Sequence, residues 1–362
     1  MASTSSGAPT PKKRNHRETR LANLQAIQID GTKRIEADVR QSLGRWYDLG
    51  GVLPATIEVR AGFLRRLAPL TATEITNAGE IVDRPKPDLP RAPALARLTA
   101  IPKGVALRTA LTLMFLVQTN PKALQGKGKL DIPFIRDDKY PLGLIDLIAI
   151  NATHKVGEDG GEFAATTTSN RQRQIRSALI ALETIGLVSL PAGKGRGSTR
   201  FNEVRLHSEL GKVDGAEPPV YTPPAPDVET LQIPVEFFLQ GWVHSLTNRE
   251  IANWLMYRDR RAQYGAPTPN EDGNLPHDLR VGAYDRLVEY DLTRATWDTH
   301  GNLTAFGLLS TWTDPRRRYN GTTPDGKRVE PHRFQLTDDG LLAPGLETVM
   351  TVLKNDAIPL NL

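Results

Sequence analysis

The chain has 362 residues, 39% of them hydrophobic and 24% charged, with 46 lysines and arginines against 41 acidic residues, a net charge of +5. That length suggests two or three domains, and the composition is that of a globular protein rather than a disordered one. With no cysteine, disulfides and thiolate metal sites are excluded and a reducing cytoplasm is the natural compartment, while the mild basic excess permits a polyanionic partner.

Residues 1–50 read as a basic, largely disordered N-terminal tail, because Lys12, Lys13, Arg14, Arg17 and Arg20 stand against Glu18 alone near its start. No apolar run follows these charges, so no signal peptide is expected. Residues 51–98 read as a helical segment, amphipathic through Ile57, Phe63, Leu64 and Leu67, and then as a linker broken by Pro85, Pro87, Pro90 and Pro93. Ala106 to Val117 predicts a buried helix stopped at Asn120-Pro121, and Pro141 to Ile150 a second one. Both stretches are too short to cross a bilayer, and they carry Arg108 and Asp146, so no membrane partner is expected.

The most informative stretch runs from Thr168 to Val204. Ser169 or Thr168 can cap a helix whose Ile175, Ala178, Leu179, Leu182 and Gly186 fall on one side at 3.6-residue spacing. Gly186 is placed to end it in the left-handed conformation. Asn170, Arg173, Ser177 and Thr184 project the other way, with Arg171, Gln174 and Arg176 beside them. Leu187 to Leu190 then reads as a strand, Lys194, Arg196 and Arg200 as a glycine-spaced cationic tip, and Phe201 to Leu206 as the returning strand.

This helix and basic hairpin resemble the recognition helix and wing of a winged helix-turn-helix domain. The resemblance implies that the helix enters the DNA major groove while the wing touches backbone or minor groove. The residue chemistry agrees: Asn and Gln can pair with adenine edges, Arg with guanine edges, and mobile cations with phosphates. Asn170, Arg171, Arg173, Gln174, Arg176, Ser177, Lys194, Arg196 and Arg200 are the candidate DNA contacts of this half.

After a Pro-rich linker at 213–230, Val235 to Leu246 predicts a helix, and Thr247-Asn248-Arg249-Glu250 a capping box that launches another through Tyr257. A third helix is expected from Pro276 to Tyr290, a strand from Leu292 to Trp297, and a returning strand from Arg333 to Leu336. Ala178-Leu179-x-x-Leu182-x-x-Ile185-Gly186-Leu187 aligns on Ala283-Tyr284-x-x-Leu287-x-x-Tyr290-Asp291-Leu292, an offset of 283 − 178 = 105, which reads as an internal repeat. On that alignment Arg173 becomes Asp278, so the second helix is the poorer base reader, and this half is left with Arg316, Arg317, Arg318, Lys327 and Arg328 as its DNA contacts.

The resulting fold class is α+β, mostly helical. It comprises two winged-helix domains in tandem, at 99–212 and 231–350, with a C-terminal tail at 351–362. Tandem winged helices on a short linker are similar in arrangement to plasmid replication initiators. That resemblance implies a sequence-specific double-stranded-DNA-binding protein of the cytoplasm, nucleoid-associated, with a homodimer and host replication or transcription machinery as further partners. A transcriptional regulator, a partition protein or a winged-helix protein–protein adaptor would carry the same features.

No cofactor is expected and no catalytic set is complete. Gly193 to Thr199 lacks the ending of a phosphate-binding loop, and the seven histidines show no metal-ligand spacing. His277-Asp278-Leu279-Arg280, with Tyr319 downstream, resembles the His-x-Leu-Arg box of tyrosine recombinases, but no upstream arginine box accompanies it. His277 reads instead as a solvated residue near a helix start.

Overall fold

The computed structural model describes residues 16–29, 53–67, 92–101, 104–136, 138, 142–148, 167–192, 198–212, 218–265, 267–271, 276–318, 322–325 and 329–361. They form an α+β molecule of helices and small antiparallel sheets around one contiguous apolar cluster running from Leu24 to Leu353.

A two-stranded ribbon ties the halves of the chain together. β1 (Thr56–Arg60) pairs antiparallel with β6 (Thr230–Pro234), Glu58 opposite Gln232, and alternation buries Ile57, Val59, Leu231 and Ile233. Each strand leads into a one-turn helix, α2 (Ala61–Leu64) after β1 and α7 (Glu236–Leu239) after β6. The amphipathic first part of the 51–98 segment, from Ile57 to Leu67, was expected to be helical. At 56–60 the pairing partner decides otherwise, since a short apolar run suits either period.

In the first half, α3 (Ala94–Thr99) and α4 (Ala106–Thr119) precede β2 (Leu124–Gln125) and β3 (Lys129–Leu130). Then come α5 (Leu144–Leu147), α6 (Thr167–Ile185), β4 (Val188–Ser189) and β5 (Arg205–Leu206). The sheet order is β2-β3-β5-β4, so the last strand lies between the hairpin's first strand and the earlier β3. In the second half, α8 (Trp242–Ser245) and α9 (Asn248–Tyr264) lead to Leu279, a π-helical turn at Asp285–Glu289, α10 (Arg294–Trp297), α11 (His300–Ala305), β7 (Leu309–Trp312) and β8 (Arg333–Leu336). Here β8 lies between β7 and Leu279, which bridges Phe334. α12 (Gly345–Lys354) follows.

Several expectations are corrected. Val235 to Leu246 is not one helix, because Gly241 at φ +76° separates α7 from α8. Leu279 belongs to a sheet rather than to a helix starting at Pro276, and 294–297 is helical rather than a strand, with Thr293 accepting from the Thr296 N–H as its cap. His16–Ile29 is a helix, α1, within what read as a disordered tail. Local composition is too polar to hold it; two arginines do so through distant partners. Arg17 donates to the carbonyls of Val352, Leu353, Asn355 and Ile358 at the end of α12, and Arg20 pairs with buried Glu250 at 2.7 Å.

The halves also interlock through ion pairs and rings. Arg65 reaches Asp259, Arg66 reaches Asp291, and Phe115 of α4 stacks on Phe238 of α7 at 4.7 Å. The Arg66 guanidinium also donates to the Leu287 and Val288 carbonyls, holding the turn where Asp291 adopts φ +55°, a left-handed conformation that Asp tolerates. No described helix is long and apolar enough to cross a membrane.

Candidate nucleic-acid interface

The anchor of the site is the junction between α6 and β4. Ile175, Ala178, Leu179, Leu182 and Ile185 are buried, and Gly186 turns the chain at φ +81°, with the Leu187 N–H donating to the Leu182 carbonyl at 2.9 Å. The inward face and the terminating glycine are as the spacing predicted. Opposite them, Ser169, Arg173, Ser177, Ile180 and Thr184 form the exposed stripe.

The cations around this stripe divide into two kinds. Arg173 is exposed and donates to Asn170 Oδ1 at 3.0 Å, which orients its guanidinium without covering it. The others are engaged within the fold. Arg171 donates to the Ile145 carbonyl of α5 and so fixes the angle between the two helices. Arg176 lies over Phe134 at 5.3 Å and over Phe201 at 5.6 Å, bracing α6 against both the loop after β3 and the hairpin root. Arg200 pairs with Glu183, which also accepts from the Leu190 N–H. Lys194 and Arg196 lie outside the described residues. Gln174 is half-buried, and the Ser177 hydroxyl donates back to the Arg173 carbonyl.

One pair of cations was not singled out from the sequence. Lys129 and Arg205 are directly opposite on β3 and β5, and Arg205 is exposed while Val204 and Leu206 beside it are buried. Strict alternation through Val204-Arg205-Leu206 is the signal that would have found it.

The second half repeats this geometry, but not at the offset that its residues suggested. Gly307 at φ +76° follows α11 as Gly186 follows α6, and the Leu308 N–H donates to the Leu303 carbonyl at 2.9 Å. The strand registers correspond as well: Val188 faces Leu206, and Leu309 faces Leu336. Next to these, the His207 N–H donates to the Leu187 carbonyl and the Thr337 N–H to the Leu308 carbonyl. Helix end and strand register thus correspond at an offset of 307 − 186 = 121 rather than 105, and the helix at 283–289 precedes the segment that feeds β7. At this offset Arg173 corresponds to Arg294, whose side chain is 70% exposed and 3.8 Å from Asp298.

The remaining cations of the second half are partly committed. Arg316 is bonded through Nε and Nη2 to Asp314, which it holds well below the usual carboxylate range. Arg317 donates to the Glu330 carbonyl, and Arg318 is exposed. Lys327 and Arg328 lie outside the described residues.

His277 is not at a helix start. It stands on the edge of the second sheet with Nε2 2.7 Å from Ser310 Oγ, and Asp278 pairs with Arg261, so the recombinase-like box forms part of a sheet edge. Tyr319 is outside the described residues. Folding does bring two of the scattered histidines together: His300 and His332 rings lie 5.3 Å apart beside Trp297 and Phe334. Burial holds His332 down to about 4, assisted by Arg317 and His300, and burial also lowers His300. Among the described residues no three His, Cys, Asp or Glu side chains are grouped to hold a metal. No protein-family model, curated protein or solved structure matches the chain.

Proposed function

We propose that this chain is a sequence-specific double-stranded-DNA-binding protein made of two winged helices. In this reading α6 is the groove-reading helix of the first, and the two short helices α10 and α11 together are its counterpart in the second. One observation carries the reading: in each half a helical segment ends near a left-handed glycine and feeds an antiparallel strand pair, β4 with β5 and β7 with β8, whose second strand also contacts an earlier segment, β3 or Leu279. Each copy ends its last helix at a left-handed glycine and presents an exposed arginine at the same register, Arg173 and Arg294. Amphipathic helices and left-handed glycine caps recur by chance, whereas matching strand registers are non-local features that support a duplicated unit.

Arginine suits this task because its planar donor fork matches guanine O6 and N7 in the major groove, and a pair of cations such as Lys129 and Arg205 suits phosphate. Binding of this kind, with no chemistry of its own, fits replication initiation or regulation on a plasmid or mobile element. The test is selection of bound duplexes from a random pool by the full chain, followed by titration at several salt concentrations. A recurring sequence and a linear fall of log affinity with log salt are expected. Failure to enrich any duplex, with no binding even at low salt, would overturn the proposal.

A further inference from the structure

The exposed stripe of α6 holds one side chain that neither phosphate binding nor core packing accounts for. Ile180 is 45% exposed at the middle of the outward face, seven residues on from Arg173 and between Ser177 and Thr184. The exposed positions on either side of it along the stripe, Ser177 and Thr184, are polar. The helix interior is closed beneath it by Leu179 and Leu182, which are fully buried, so Ile180 belongs to no part of the core. Both flanking hydroxyls are turned back onto the helix, Ser177 donating to the Arg173 carbonyl and Thr184 to the Ile180 carbonyl, each at 3.0 Å. Along this face, then, the guanidinium of Arg173 supplies hydrogen-bond donors and the sec-butyl surface of Ile180 supplies apolar contact, while the two hydroxyl protons are already spent.

In the major groove the thymine C5-methyl is the apolar feature that a base pair presents. Resting on the DNA-binding reading above, we infer that Ile180 is a specificity-determining residue that packs on a thymine methyl. The spacing sets where. Seven residues at a rise of about 1.5 Å separate Ile180 from Arg173 by about 10.5 Å along the axis. At about 3.4 Å per base-pair step that distance is about three base pairs. The half-site contacted by α6 carries a guanine under Arg173 and a thymine about three pairs away.

The experiment replaces each thymine of a pool-selected duplex by deoxyuridine, which removes the methyl and nothing else, and measures affinity of the full chain. Wild type should lose about fourfold at one thymine, the loss expected for one buried methyl group. Ile180→Ala should be insensitive at that position and Ile180→Val should retain part of the sensitivity. The guanine whose recognition is lost in Arg173→Ala should lie about three pairs away. Because Ile180 is exposed and alanine favours helix, loss of folding does not confuse the comparison. A flat deoxyuridine scan, or a scan that is the same for wild type and Ile180→Ala, overturns the inference while leaving DNA binding intact; this is also what a protein-contacting Ile180 would give. Failure to select any duplex overturns both.

Discussion

Gly186 and Gly307 end two helices in the same way: φ is +81° and +76°, and the residue after each donates its N–H to a leucine carbonyl five positions back, Leu182 and Leu303. Their surroundings differ. A Cβ on Gly186 would come within 2.8 Å of the Lys212 backbone nitrogen, whereas one on Gly307 would meet nothing within 4 Å. Gly307→Ala should therefore cost only the left-handed strain, about 1–2 kcal/mol. Gly186→Ala should cost about 1–3 kcal/mol more, because backbone must move. Urea unfolding of both variants checks this, and equal losses would show that Lys212 yields freely.

Arg176 and Arg205 separate a brace from a contact. Arg176→Ala removes the cation over Phe134 and Phe201 and should lower stability by about 0.5–2 kcal/mol. It should leave the salt dependence of DNA binding unchanged. Arg205→Ala, from an exposed strand position, should leave the melting temperature alone and reduce the slope of log affinity against log salt by about one. The reverse pattern would exchange their roles.

Arg294→Ala should loosen base preference at a position distinct from the one governed by Arg173, within the roughly 1–3 kcal/mol of a bidentate contact. The effect should be smaller than that of Arg173→Ala, because Asp298 stands 3.8 Å from Arg294 and its charge opposes phosphate. Selection from a random pool with each variant reads both positions, and an unchanged site for Arg294→Ala would confine base reading to the first half.

Glu250 links the N-terminal helix to stability and pH. Burial alone would raise its carboxyl, but the charge and hydrogen bonds of Arg20, with the Thr247 N–H and Asn302, outweigh burial and hold it below its usual value. A lowered folded-state value means stability that is present above the unfolded value, near about 4.3, and is lost as pH falls through the folded one. Arg20→Met leaves the carboxylate buried and unpaired, which should cost about 3–5 kcal/mol at neutral pH. It should also invert the sign: burial then raises the folded-state value, so the variant gains stability on acidification where wild type loses it. Unfolding midpoints at pH 7 and pH 4 test both statements.

Features set by neighbouring residues were legible before any coordinates. The buried face of α6, the left-handed Gly186, the stop at Asn120 and the Thr247–Glu250 capping box all depend on groups within a turn of one another. Tertiary structure alone decided which second-half helix feeds the hairpin, because any amphipathic helix satisfies the apolar period and only the register of β7 against β8 selects 300–305. It alone made 56–60 a strand, through β6, and 16–29 a helix, through Arg17 and Arg20. It also sorted the arginines of α6, since whether a guanidinium meets a ring, a carbonyl or solvent depends on segments tens of residues away. Hydrophobic period is a local property of the chain, whereas hydrogen-bond register and the partner of a charge are properties of chain segments brought together by folding.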